Sequence, residues 1–471
     1  MHNRTPWVLL LCALFVSAAS QAAPQQAAEP SLGAVKATRD EVLSIAAQAK
    51  TAAMRIGNVW RRQPVLELIG AVQVASGDWD AALETARQSN PEDTEILRTI
   101  GKQLAASTDS KKTESFLRKL EGGGSSSYAF IAKTQAQMGD FEKALRTTSQ
   151  IQDHTVRSDA LDWIAESQAA AGDYSGARKT YALAEAAWPE GHRYAEEEDQ
   201  IIVRGQLSRG ELQPALDTLA ASKTPDISAS SISLFTENFS KISDKAAVAA
   251  WLNGVLAALP RSPDGDIDRY FAIPLQVKLG REDRAMQAAT SIRSDYGLRG
   301  YSAIGVACAE THNLPCAKSA LDKLNAFAGP IRFDAEQMIL NVTAALLDRG
   351  EFDAAAPWLA IVEEHPDKTY TRPEVDLQRV FFLAKQSQFE DARMRALEMN
   401  LDSLTGNQRG TAIRLVALLQ TEKFGAAPVK SWASGLPDSE DRAYALVGIA
   451  QGLLNSEDAN LPYSTLPLPH H

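Results

Sequence analysis

The chain has 471 residues, 45% hydrophobic and 23% charged, with a formal net charge of −11. The proportions are ordinary for a globular protein. The acidic excess argues against nucleic acid and anionic membrane surfaces as partners, since both need a basic footprint.

In chain order, residues 1–22 read as a secretory signal peptide. Arg4 supplies the positive n-region, Val8–Val16 the apolar h-region and Ser20-Gln21-Ala22 the small-x-small cleavage signal. The apolar run is too short to span a bilayer, and Leu11 before Cys12 is too bulky for a lipoprotein signal. Export as a soluble, periplasmic protein is the expectation, with no membrane insertion after cleavage. Residues 23–37, rich in Ala, Gln and Pro, read as a disordered leader. Residues 38–60 carry Val42, Ile45, Ala46, Ala49, Ala53 and Ile56 on one helical stripe and are expected to form an N-terminal capping helix.

From residue 61 a pattern repeats. In its clearest stretch, Ile131, Ala132, Gln135, Gly139, Asp140, Phe141 and Ala144 return as Ile164, Ala165, Gln168, Gly172, Asp173, Tyr174 and Ala177. Comparable units run at 66–86, 201–219, 270–292, 301–321, 339–362, 380–399 and 412–433, with degenerate ones at 96–120 and 232–259. The last, 442–458, has a first helix and no second, as the end of a repeat array often does. Each unit is an apolar-periodic run, then Gly-Asp or Gly-Glu, then another such run: helix, tight turn, helix. Gly takes the positive φ that ends the first helix, and the acidic residue caps the second or favours its positive end. Small residues on the first helix (Gly70, Ala132, Ala165, Gly305) are expected to face alanines on the second (Ala82, Ala144, Ala177, Ala317) and so let the two helices approach.

Gly-Asp-aromatic-x-x-Ala, with Ile-Gly or Ile-Ala upstream of that alanine, resembles the tetratricopeptide repeat. The resemblance covers roughly residues 60–458 and is weakened by missing unit-end prolines and by Gln73, Gln135, Gln168 and Gln206 where an aromatic is usual. It implies an all-α helix-turn-helix solenoid, a right-handed superhelix of about ten to twelve units. Two arrays, 61–222 and 232–458, would form two lobes, followed by a loose tail at 459–471. Gly122–Ser127 is flexible by composition, a long loop or a hinge.

The resemblance also implies a concave face lined by first helices. Its positions here are Glu67, Lys133, Asp159, Asp162, Glu166, Glu197, Gln200, Arg204, Tyr270, Val277, Arg299, Val306, Gln337, Leu340, Leu347, Leu377 and Phe381. Asp159, Asp162, Glu166, Glu197 and Arg204 are the candidate polar contacts for a partner segment, and Tyr270 and Phe381 the candidate anchors. A register slip would instead make the later apolar positions ordinary core.

The repeat register puts Cys308 late in one helix and Cys316 early in its antiparallel partner. A disulfide is expected in an oxidising compartment, with two buried free thiols as the alternative. No phosphate-loop, HExxH, GxSxG or CxxC pattern occurs, so no catalytic, metal or cofactor site is proposed from sequence. The acidic run Glu196–Asp199 reads as a solvated helix start. Exported lytic transglycosylases resemble the chain in outline, but its repeats leave no room for their C-terminal catalytic domain. The functional expectation is a non-enzymatic scaffold for protein partners in the cell envelope. A glycan-binding accessory module is the alternative.

Overall fold

The computed structural model describes residues 32–89, 96–97, 100, 110–120, 124–188, 196–222, 229–259, 263–292, 296–328, 333–364, 372–399 and 407–454. The expected signal peptide, most of the expected leader and the expected tail lie outside them. Among the described residues there are twenty-three α-helices, one short 3-10 turn and no strand.

The first helices of the units are α2 (Val59–Ala75), α5 (Ser125–Gln137), α7 (His154–Ala171), α9 (Glu196–Ser208), α11 (Ala229–Glu237), α13 (Pro263–Lys278), α15 (Tyr296–Glu310), α17 (Phe333–Asp348), α19 (Arg372–Lys385), α21 (Gln408–Phe424) and α23 (Ser439–Leu454). The second helices are α3 (Trp79–Ser89), α4 (Ser110–Arg118), α6 (Phe141–Thr148), α8 (Tyr174–Ala187), α10 (Leu212–Ala221), α12 (Lys245–Ala258), α14 (Glu282–Ser291), α16 (Leu314–Ala328), α18 (Phe352–Glu364), α20 (Phe389–Glu398) and α22 (Ala426–Gly435). The remaining helix, α1, spans Leu32–Ala53.

The turn between paired helices follows from the sequence pattern. After α7, Gly172 takes φ 89°, and the Asp173 N–H donates back to the Gln168 carbonyl at 2.9 Å. The Asp173 carboxylate then accepts from the Gly176 N–H at 2.9 Å and caps α8. Where the glycine is missing, His312 (φ 60°) and Ser387 (φ 67°) hold the same left-handed position. The Glu versions of the cap act differently. In Arg209-Gly210-Glu211 and Arg349-Gly350-Glu351, the arginine Nε donates to the glutamate at 2.8 Å. Each guanidinium also reaches the preceding first helix, donating to the Ala171 carbonyl at 3.4 Å and the Ala309 carbonyl at 3.0 Å. These glutamates therefore join successive units. Of the Gly/Ser run, Gly124 precedes α5 and Ser125–Ser127 form its first turn.

The glutamines that replace the usual aromatic have a partner that the repeat pattern did not reveal. Gln73, Gln135 and Gln206 are buried, and each side-chain oxygen accepts from a threonine twelve residues on: Thr85 (2.8 Å), Thr147 (2.8 Å) and Thr218 (3.1 Å). The bond ties the first helix to the second inside the unit. Removing one partner strands the other, at about 1–3 kcal/mol, whereas an apolar pair of similar shape is close to neutral. Thr147→Val should therefore lower the urea-unfolding free energy by about that amount, and adding Gln135→Leu should restore most of it.

The small residues are buried as expected. Ala132 shares a cluster with Ala144, and Ala165 with Ala177. At the glycines, however, the neighbour is the next unit. A Cβ on Gly70 would lie 2.5 Å from Ile96, and one on Gly305 would lie 1.9 Å from the Met338 side chain of α17. These glycines admit the following first helix, not the helix across the turn. First helices accordingly pack on first helices from α5 to α23, while among the described residues second helices touch one another less extensively. The first helices form the inner wall and the second helices the outer one.

The Cys308–Cys316 disulfide is present, with Cα atoms 5.8 Å apart across the α15–α16 turn. In the chain-entropy account so short a loop contributes on the order of 2–3 kcal/mol.

The array does not end in free faces. Helix α1 packs along α23 and touches α2, so it occupies the second-helix place that α23 lacks. Its stripe of Val42, Ile45, Ala46, Ala49, Ala53 and Ile56 is buried in the same cluster as Ala443, Tyr444 and Val447. Two ion pairs at 2.6 Å cross the junction, Arg61–Glu440 and Lys430–Glu41. Contacts also continue from α9 through α11 to α13, across the segments expected to separate the lobes. Instead of an open superhelix, the helix contacts close on themselves as a ring.

Candidate binding surface on the first helices

The acidic residues expected to meet a partner lie on neighbouring first helices, Asp159, Asp162 and Glu166 on α7 and Glu197 and Arg204 on α9. All four acids are half-buried and Arg204 is exposed. Arg204 joins the two helices by an ion pair with Glu166 at 2.6 Å. Glu197 accepts a hydrogen bond from the Tyr181 hydroxyl at 3.3 Å. Beside them Lys133 of α5 sits over the Trp163 ring of α7 at 4.1 Å. The surface is thus a mosaic of acids and cations with partners of their own, one ion pair, one phenol hydrogen bond and one cation–ring contact, on an inner-wall track across three units. Across the same region, Arg178 pairs with Glu198 and with Asp199, the latter at 3.2 Å. The acidic run at the start of α9 therefore belongs to an inter-helix ion network. Glu237 of α11 lies farther along; burial pushes its carboxyl up, with Arg204 pulling the other way.

The apolar half of the expected surface is placed differently. Phe381 is 3% exposed, and Val277, Leu340, Leu347 and Leu377 are equally buried. The physical reason is enclosure: α19 is packed by α17, α18, α20 and α21, so apolar positions around most of its circumference are core. Phe381, expected on the open face, is packed in the core with Lys385 over its ring at 5.4 Å. Tyr270 is half-buried in an aromatic group, 5.3 Å from Phe271 and 5.4 Å from Tyr296, with Arg299 over Tyr296 at 5.7 Å. Burial raises the Tyr270 phenol above its ordinary value.

Sequence reasoning missed the buried polar residues at the ring junction. Asp441, Glu440, Arg414 and Gln451 are all under 7% exposed. Arg409 reaches Asp441 at 2.5 Å, and Arg414 donates to Gln451 at 2.9 Å. The Glu440 carboxyl is pushed up by burial, partly opposed by Arg61. The available signal was charge inside an otherwise apolar first-helix run, at Arg414 and at Glu440-Asp441.

Among the described residues no group of His, Cys, Asp and Glu is arranged to hold a metal ion, and no helix is long and apolar enough to cross a membrane. No protein-family model matches the chain, and no curated protein matches it.

Proposed function

We propose that this chain is a divergent tetratricopeptide-like scaffold of the bacterial envelope, without enzymatic activity, that receives basic partner segments on its inner wall. The observation that carries this reading is the track of Asp159, Asp162, Glu166 and Glu197 on adjacent first helices, bridged by the Glu166–Arg204 pair. First helices facing inward are the surface on which such arrays dock extended or helical segments. Acids set among half-exposed cations favour an incoming Lys or Arg that exchanges with the internal partner. The Cys308–Cys316 disulfide fits the exported, periplasmic compartment expected from the leader.

The test is charge reversal, Asp159→Lys with Asp162→Lys and Glu166→Lys. Titration of a Lys/Arg-rich peptide should show binding to the parent protein that weakens with salt and is lost in the triple variant. An exposed pair such as Glu166–Arg204 contributes at most about 1 kcal/mol, so helicity should survive. Equal binding by a folded triple variant would sink the reading.

A further inference from the structure

A second surface lies where α1 turns into α2, away from the acidic track of α7 and α9 in sequence. Among the described residues, six large hydrophobic side chains are exposed, and three belong to this turn: Trp60 at 82%, Val59 at 51% and Met54 at 43%. Residues 54–63 hold three arginines and no carboxylate, in a chain of net charge −11. Arg61 is engaged with Glu440. Arg55 and Arg62 flank the apolar group and form no ion pair among the described residues.

The turn is an ordered projection. Ile56 is buried beneath it at 6%. The Ile56 N–H donates to the Ala53 carbonyl at 2.9 Å, and Asn58 caps α2 by accepting from the Trp60 N–H at 2.9 Å. A Cβ placed on Gly57 would meet nothing within 4 Å, so the tip stands clear of the rest of the molecule. A convex tip offers no groove for a peptide. An amphipathic indole beside apolar side chains and arginines suits the depth at which lipid headgroups meet acyl chains.

We infer that the Met54–Arg62 turn docks the ring peripherally on an anionic phospholipid surface, with Trp60 at headgroup depth and Arg55 and Arg62 on phosphates. The acidic remainder is repelled by the same surface, so contact is confined to this turn and the ring is held in one orientation. Because the turn is already ordered, little conformational freedom is lost on docking.

The experiment uses the full chain and vesicles of phosphatidylglycerol and phosphatidylethanolamine, with all variants in the same background. The parent should co-sediment with the vesicles at low salt, and brominated lipid should quench an emission component absent from Trp60→Phe. Trp60→Ser should weaken binding about tenfold, and Arg55→Gln or Arg62→Gln about fivefold each. Gly57→Asp touches no neighbour and adds a carboxylate at the tip, so it should abolish binding while the circular dichroism stays unchanged. Parent and Gly57→Asp binding alike would overturn the inference. So would Trp60-dependent binding of an acidic apolar peptide without binding to vesicles, which would assign the turn to a protein partner.

Discussion

Ile45→Asp should open the ring without unfolding the repeats. Ile45 is 1% exposed in the seam between α1 and α23. Truncating such a side chain to alanine costs about 2–5 kcal/mol. A carboxylate there adds a desolvation penalty that departure of α1 relieves. The loss falls on one helix, because α1 packs on α23 and α2 and on no other stretch of the wall to a comparable extent. Hydrogen exchange should therefore rise in α1 and α23 while α7 and α8 keep their protection, and the radius of gyration should grow. Uniform loss of protection in a single transition would show instead that closure and repeat stability are one cooperative unit.

The second large effect is expected at Asp441. Its side chain is 1% exposed, and it holds Arg409 by bonds of 3.1 and 2.5 Å in the first turn of α23. Asp441→Ala removes one member of a buried pair and strands the guanidinium, which among the described residues retains the Met399 carbonyl at 3.3 Å. Such losses run at about 3–5 kcal/mol, whereas replacing both members by apolar residues is often neutral. Chemical denaturation should show the full penalty in Asp441→Ala and most of it recovered in Arg409→Leu with Asp441→Leu. A single variant as stable as the parent would mean the pair contributes nothing to the junction.

The helices, their turns and the Cys308–Cys316 pairing were legible because each leaves a local signal. Gly172 with Asp173 marks a stop and a start, and a separation of eight positions between the cysteines fits one turn. Closure was not legible. The stripe from Val42 to Ile56 says which face of α1 is buried, and it reads the same whether that face caps a free end or meets a helix hundreds of residues away. Phe381 was misplaced for a related reason. A first helix walled in on several sides is apolar around much of its circumference, so periodicity alone does not say which stripe faces the opening. The Gln–Thr bonds were half legible: Gln73, Gln135 and Gln206 stood out as departures, but each threonine lies in a second helix where nothing marks it. The acidic residues on α7 and α9 were named as a set together with Arg204, and what sequence omitted was the pairing of Arg204 with Glu166 inside it.

Closure also sets an order of events. Among the described helices α1 is made first and its main partner, α23, last, and the Lys430–Glu41 pair spans 389 residues of sequence. Every other unit can pair with a neighbour as it emerges, while α1 must wait with its apolar stripe uncovered until the end of the chain arrives. Contacts of such separation form late and slowly, and an uncovered stripe invites aggregation. This sets the interval in which the stripe stands open to aggregation: from the emergence of residue 42 to that of residue 454. A circular permutant starting at α2 and ending with α1 would make the same ring while shortening that interval to the time needed for one helix to follow another.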